Sequence, residues 1–186
     1  MKKYFIVAYL ILFSICSKSI KAQTLSIAQL ISLKNYDFGR IDEYLSGKQF
    51  EFKGKRGIGK GINSDFLFII YEWTGLKNSK SPSKAIEAHF CYNIDGTLEE
   101  KPDDIEFTVF DFKAYNSLKQ QMMQLGFKYV GSNDEKDDDG NTIIQRLYFN
   151  GKVGIEITTF VNGQWCFDII CTKSMYDVHK GVIHTN

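Results

Sequence analysis

Apolar residues recur at helical spacing twice near the start of the chain. Leu25, Ile27, Leu30, Ile31 and Leu33 suggest a short helix, and Ile41, Tyr44 and Leu45 suggest a second behind Asp37. An aspartate there caps a helix by accepting from its first free amides, and Gly47 supplies a stop. The period then shortens to two. Phe50 and Phe52 begin an alternating strand, and residues 66–73, 85–92 and 104–110 read as three more. A third helix follows, with Asp111 as N-cap, Leu118, Met122 and Leu125 as its stripe and Gly126 as its end.

Beyond Gly126 the strand pattern returns. Residues 127–130 start a strand, the acidic run 133–141 turns the chain, and residues 143–149 come back. Asn150-Gly151 and Asn162-Gly163 are type I′ hairpin signals, so residues 153–161 and 165–172 complete a meander. At an offset of 77 the halves pair Phe38 with Tyr115, Ile41 with Leu118, Phe50 with Phe127, Phe52 with Tyr129, Gly54 with Gly131 and Tyr71 with Tyr148. Duplication and shared secondary structure both account for such matches. The expected fold is α+β: two tandem helix-plus-antiparallel-meander units, residues 23–111 and 112–173, with helices packed on one face of the sheet and a tail over 174–186.

That element order resembles the tandem helix-plus-four-strand repeats of the β-lactamase inhibitor protein family, over nearly all of the chain beyond residue 22. No sequence motif of the family is present, and no residue carries over. The resemblance implies a concave sheet face that grips a protein partner. The order of helix, glycine, Phe-x-aromatic strand and Asn-Gly hairpins is also similar to that of small secreted bacterial proteins.

Each strand has one set of residues expected to meet the helices: Phe66, Phe68 and Ile70; Ile86, Ala88, Phe90 and Tyr92; Ile105, Phe107 and Val109; Val153, Ile155 and Ile157; Trp165, Phe167 and Ile169. The opposite set is largely polar, including Glu87, His89, Glu106, Thr108, Gln145, Glu156, Thr158 and Asp168. Tyr71, Trp73, Phe110, Tyr148 and Phe160 fall in that second set. Exposed aromatics among charges make a protein-binding surface, so these five are the expected partner-binding residues, unless the central strand is covered on both sides. A register slip of one residue exchanges the faces.

Composition then fixes the setting. Lys2 and Lys3 precede an uncharged, mostly apolar run over residues 4–16 and a short polar stretch to Ala22, the pattern of a secretory leader cleaved near Ala22. Cleavage there leaves 164 residues and removes four lysines, turning a formal net charge of +1 into −3. A weakly acidic chain has little electrostatic attraction to nucleic acid, and no later segment is apolar for long enough to insert in a membrane. The expected location is periplasmic or secreted. Cys91, Cys166 and Cys171 remain; Cys166 and Cys171 point to opposite faces of one strand and cannot pair, whereas Cys91 with Cys166 is open.

Three stretches carry a chemistry in outline. Glu87, His89 and Cys91 alternate onto one side of a strand at a spacing suited to zinc, but no second ligand pair accompanies them. Arg56-Gly-Ile-Gly-Lys-Gly61 has the glycines of an anion-binding loop without the following Ser/Thr and helix. Glu135, Asp137, Asp139 and Gly140 imitate half a calcium loop, yet Arg146 stands where its bidentate glutamate belongs. Neither catalytic residues nor a metal site nor a cofactor is therefore assigned. The sequence reads as an exported, non-enzymatic protein-binding domain, of inhibitor or immunity type. The alternative is a periplasmic small-molecule or metal-ion binding protein that uses the Glu87, His89 and Cys91 cluster or the acidic loop.

Overall fold

A computed structural model describes residues 25–60, 67–75, 86–93, 101–136 and 139–183. The expected leader, residue 66, the end of the glycine loop at Gly61, Asp137 of the acidic run and His184 lie outside the described residues. Helix α1 (Ile27–Leu33) opens on a capping box, in which the Ser26 hydroxyl accepts from the Gln29 amide and the Gln29 side chain accepts from the Ser26 amide. Asp37 caps α2 (Phe38–Gly47) and Asp111 caps α3 (Phe112–Gln124), both as expected. Gly126, just past α3, takes φ +79°, a conformation only glycine adopts freely.

Eight strands form one antiparallel sheet: β1 (Phe50–Lys60), β2 (Leu67–Gly75), β3 (Glu87–Asn93), β4 (Asp104–Val109), β5 (Lys128–Lys136), β6 (Thr142–Phe149), β7 (Gly154–Thr159) and β8 (Trp165–Ile170). Their order across the sheet is β1-β2-β3-β4-β8-β7-β6-β5, so β4 and β8 meet in the middle. The α+β class with an antiparallel sheet is as expected. β5 runs on to Lys136, so Asn133, Asp134 and Glu135 are strand rather than turn.

Cross-strand registry defines the two faces. One row reads Tyr71, Phe90, Ile105, Ile169, Ile155 and Tyr148, and the next contains Trp73, Ala88, Phe107, Phe167 and Ile157. These side chains meet α1, α2 and α3 in one core through Leu30, Leu33, Ile41, Leu45, Leu118 and Met122. The expected inward sets of β3, β4 and β8 hold; that of β2 does not. Trp73 is fully buried against Phe38, Phe52 and Phe90, and its indole Nε1 donates to Asp42 Oδ1 on α2 at 2.9 Å. Tyr71 and Tyr148 pack in the same core, while Ile70 turns to the far face. The apolar run of β2 from Leu67 to Tyr71 leaves its face open, but Glu72 and Thr74 alternate with Tyr71 and Trp73 and put both rings on the core side, where the acceptor on α2 holds the indole.

Tyr71, Trp73 and Tyr148 are therefore core residues, not exposed anchors. Phe110 and Phe160 are half-buried just past the ends of β4 and β7.

The supposed tail also differs. Residues from Lys173 form helix α4 (Lys173–Ile183), which lies on the face opposite α1–α3, so helices cover both faces. Tyr176 stacks on Phe149 with ring centroids 4.5 Å apart and packs against Cys91, Leu147 and Ile170. Gly154 makes room for it: a Cβ there would stand 2.8 Å from Tyr176 and 2.9 Å from Ile170.

Both Asn-Gly pairs turn hairpins, but not as type I′. Positive φ falls on Gly151 and Gly163 alone, because each asparagine spends its side chain on local amides: Asn150 Oδ1 accepts from Lys152 and Val153, and Asn162 Oδ1 from Gln164.

Candidate functional site

The face under α4 is built from the residues that alternate with the core set. Its central row, strand by strand from β2 to β7, reads Glu72, His89, Glu106, Asp168 and Glu156, all titratable and each directly opposite the next. Asp104 stands two residues from Glu106 on β4, on the same face. Like charges placed opposite one another in a sheet repel, so cations must be interposed.

At one end the cation is Arg56. The β1–β2 register shifts between Lys55 and Gly57, and this irregularity at Arg56 accompanies a reach across β2, with the guanidinium 2.9 Å from His89 Nε2. His89 Nδ1 lies 3.0 Å from Glu106 Oε2, and Glu87 is 3.8 Å from Nε2. Nδ1–H thus donates to Glu106, leaving Nε2 to accept from Arg56.

At the other end the interposed group is His179 of α4. Its Nδ1 donates to Glu156 Oε2 at 2.9 Å, while Nε2 faces Asp168 Oδ2 at 3.6 Å and Asp104 Oδ2 at 4.0 Å. The side chains are 4% exposed for His179 and Glu156, 8% for Asp104 and 16% for Asp168. Burial opposes the charged imidazole, but Asp104, Glu156 and Asp168 outweigh it, and the His179 pKa is pushed up to about 11. Burial raises Asp104 to about 6 against the pull of His179. Asp168 is pushed well above the carboxylate range by burial first and the Asp104 charge second. Asp104 Oδ1 and Asp168 Oδ1 are buried and accept no hydrogen bond.

The Glu87, His89 and Cys91 triplet does not come together as a ligand set. His89 is engaged with Arg56 and Glu106, whereas Cys91 lies in an apolar cluster with Leu147 and Ile170. Cys91, Cys166 and Cys171 are free, and burial holds each thiol well above its usual pKa. Cys91 is in register with Asp104 and Cys166 with Thr108, four residues along β4, or about 13 Å, beyond the reach of a disulfide.

Sequence reasoning placed Glu106, Glu156 and Asp168 on one face but missed His179, which joins Glu156 and Asp168 to Asp104. A signal existed: Met175, Val178, His179 and Val182 recur at helical spacing. Among the described residues no helix is long and apolar enough to cross a membrane. No family model, curated protein or solved structure matches the chain.

Proposed function

We propose that the protein is an exported, non-catalytic cation-binding protein, with its site between α4 and the middle of the sheet. One observation carries this reading: three carboxylates crowd a single imidazole in a buried site, and two of their oxygens have no hydrogen-bond partner. One imidazolium neutralises one carboxylate, so in this buried site a bound cation is what lets the other two ionise. Export rests on the leader pattern of residues 1–22.

The same reading takes the chain as two tandem helix-plus-meander units meeting at the site. Asp104 comes from the first unit, Glu156 and Asp168 from the second. Supporting it, the register irregularity between Phe52 and Gly54 on β1 and that between Tyr129 and Gly131 on β5 stand 77 residues apart, the offset at which the sequence halves align.

Thermal unfolding of EDTA-treated protein against a panel of metal cations and tetramethylammonium tests the function. At least one cation should raise the midpoint, and Asp104→Asn with Asp168→Asn should remove the rise. A midpoint that no cation moves, or a rise that survives both substitutions, refutes the reading.

A further inference from the structure

Resting on that cation-binding reading, we infer that the occupant is a first-row transition-metal dication of the zinc type, ligated by His179 Nε2 and the carboxylates of Asp104 and Asp168. The three residues each offer a donor atom, and these atoms lie within 4.8 Å of one another. Nε2 stands 3.6 Å from Asp168 Oδ2 and 4.0 Å from Asp104 Oδ2. Donors around a tetrahedral zinc at about 2.1 Å are about 3.4 Å apart, so donors now spread over up to 4.8 Å close by up to about 1.4 Å to form the site.

Two further features point to a ligand rather than to a self-contained ion cluster. Asp104 is more than nine-tenths buried, and its Oδ1 has no partner, which is costly in a finished structure. Glu156, in turn, takes the Nδ1–H of His179, so that when a metal ion displaces the Nε2 proton the lone pair left behind is directed at Asp104 and Asp168. A carboxylate behind a metal-bound histidine does the same, orienting the ring and raising its basicity. Glu156 is thus a positioning residue and not a ligand.

Donor chemistry selects the ion. An imidazole nitrogen with two carboxylates suits zinc and its first-row neighbours, whereas calcium and magnesium require six or more oxygens. The ligands also come from different layers, Asp104 and Asp168 from the sheet and His179 from α4. Occupancy therefore ties α4 down, and the free energy of ion binding becomes free energy of helix docking.

Titration calorimetry on the EDTA-treated full chain, with Zn2+, Ca2+ and Mg2+ as probes, tests the assignment. One Zn2+ per chain is expected, bound at least about 100-fold more tightly than Ca2+ or Mg2+. Glu156→Gln should weaken Zn2+ by about 10- to 100-fold, and His179→Ala should abolish tight binding. If His179→Ala does not fold, Asp168→Asn is read in its place, with the same loss expected. Co2+ in place of Zn2+ should give visible absorption bands that shift in Glu156→Gln. Equal affinity for Ca2+ and Zn2+, or binding of tetramethylammonium alone, overturns the zinc assignment while leaving a cation-binding protein. Failure of every cation to bind, or Zn2+ binding untouched by the ligand substitutions, overturns both.

Discussion

Trp73 shows how one side chain reassigns a whole strand. Its indole needs burial and an acceptor, and Asp42 on α2 supplies the acceptor inside a box of Phe38, Phe52 and Phe90. As a surface anchor it would be removable at little cost. As a core residue, Trp73→Ala should destabilise the fold by about 3–5 kcal/mol, measured by urea unfolding. A loss under about 1 kcal/mol, the range of surface substitutions, would put the ring outside the core. His179 makes the opposite point, since its neighbours were visible in the sequence as a polar strand face. What alternation leaves open is whether such a face meets water or another element, because a solvated carboxylate and a buried one have the same one-dimensional pattern.

At the scale of elements, the junction of α4 with the sheet decides the site. Tyr176 sits over Gly154 beside Ile170, and one turn later His179 enters the carboxylates. Gly154→Ala should push Tyr176 outward, since the new methyl would lie 2.8 Å from its ring. Overpacking of this kind costs about 1–3 kcal/mol, which as lost docking weakens cation binding by about five- to 150-fold. Calorimetry on a variant whose far-ultraviolet dichroism is unchanged reads the effect. Unaltered affinity would show that α4 docking and ion binding are independent. The caps of α2 and α3 were legible because a short carboxylate at an N-terminus acts on amides two or three residues away. α4 was harder to see: apart from those on the neighbouring β8, its partners lie on β3, β4, β6 and β7, remote along the chain.

For the molecule as a whole, an eight-stranded sheet covered on both faces supplies the core without cross-links. The three described cysteines are unbridged, and Cys91 and Cys166 are too far apart to join. Dithiothreitol should therefore leave the thermal midpoint of a chain of residues 23–186 unchanged. A marked fall would reveal a bridge, which typically contributes about 2–4 kcal/mol.

The sequence by itself determined the element types as far as β8, most of their ends, the antiparallel α+β class and the sides of β3, β4 and β8. All of these follow from interactions among near neighbours: hydrophobic period, capping carboxylates and turn glycines. Only the tertiary structure decided which acceptor takes the Trp73 indole, that α4 closes the far side, and that His179 stands among Asp104, Glu156 and Asp168. Those outcomes depend on contacts between residues well separated along the chain, where a histidine acquires its chemistry from the carboxylates that folding places around it.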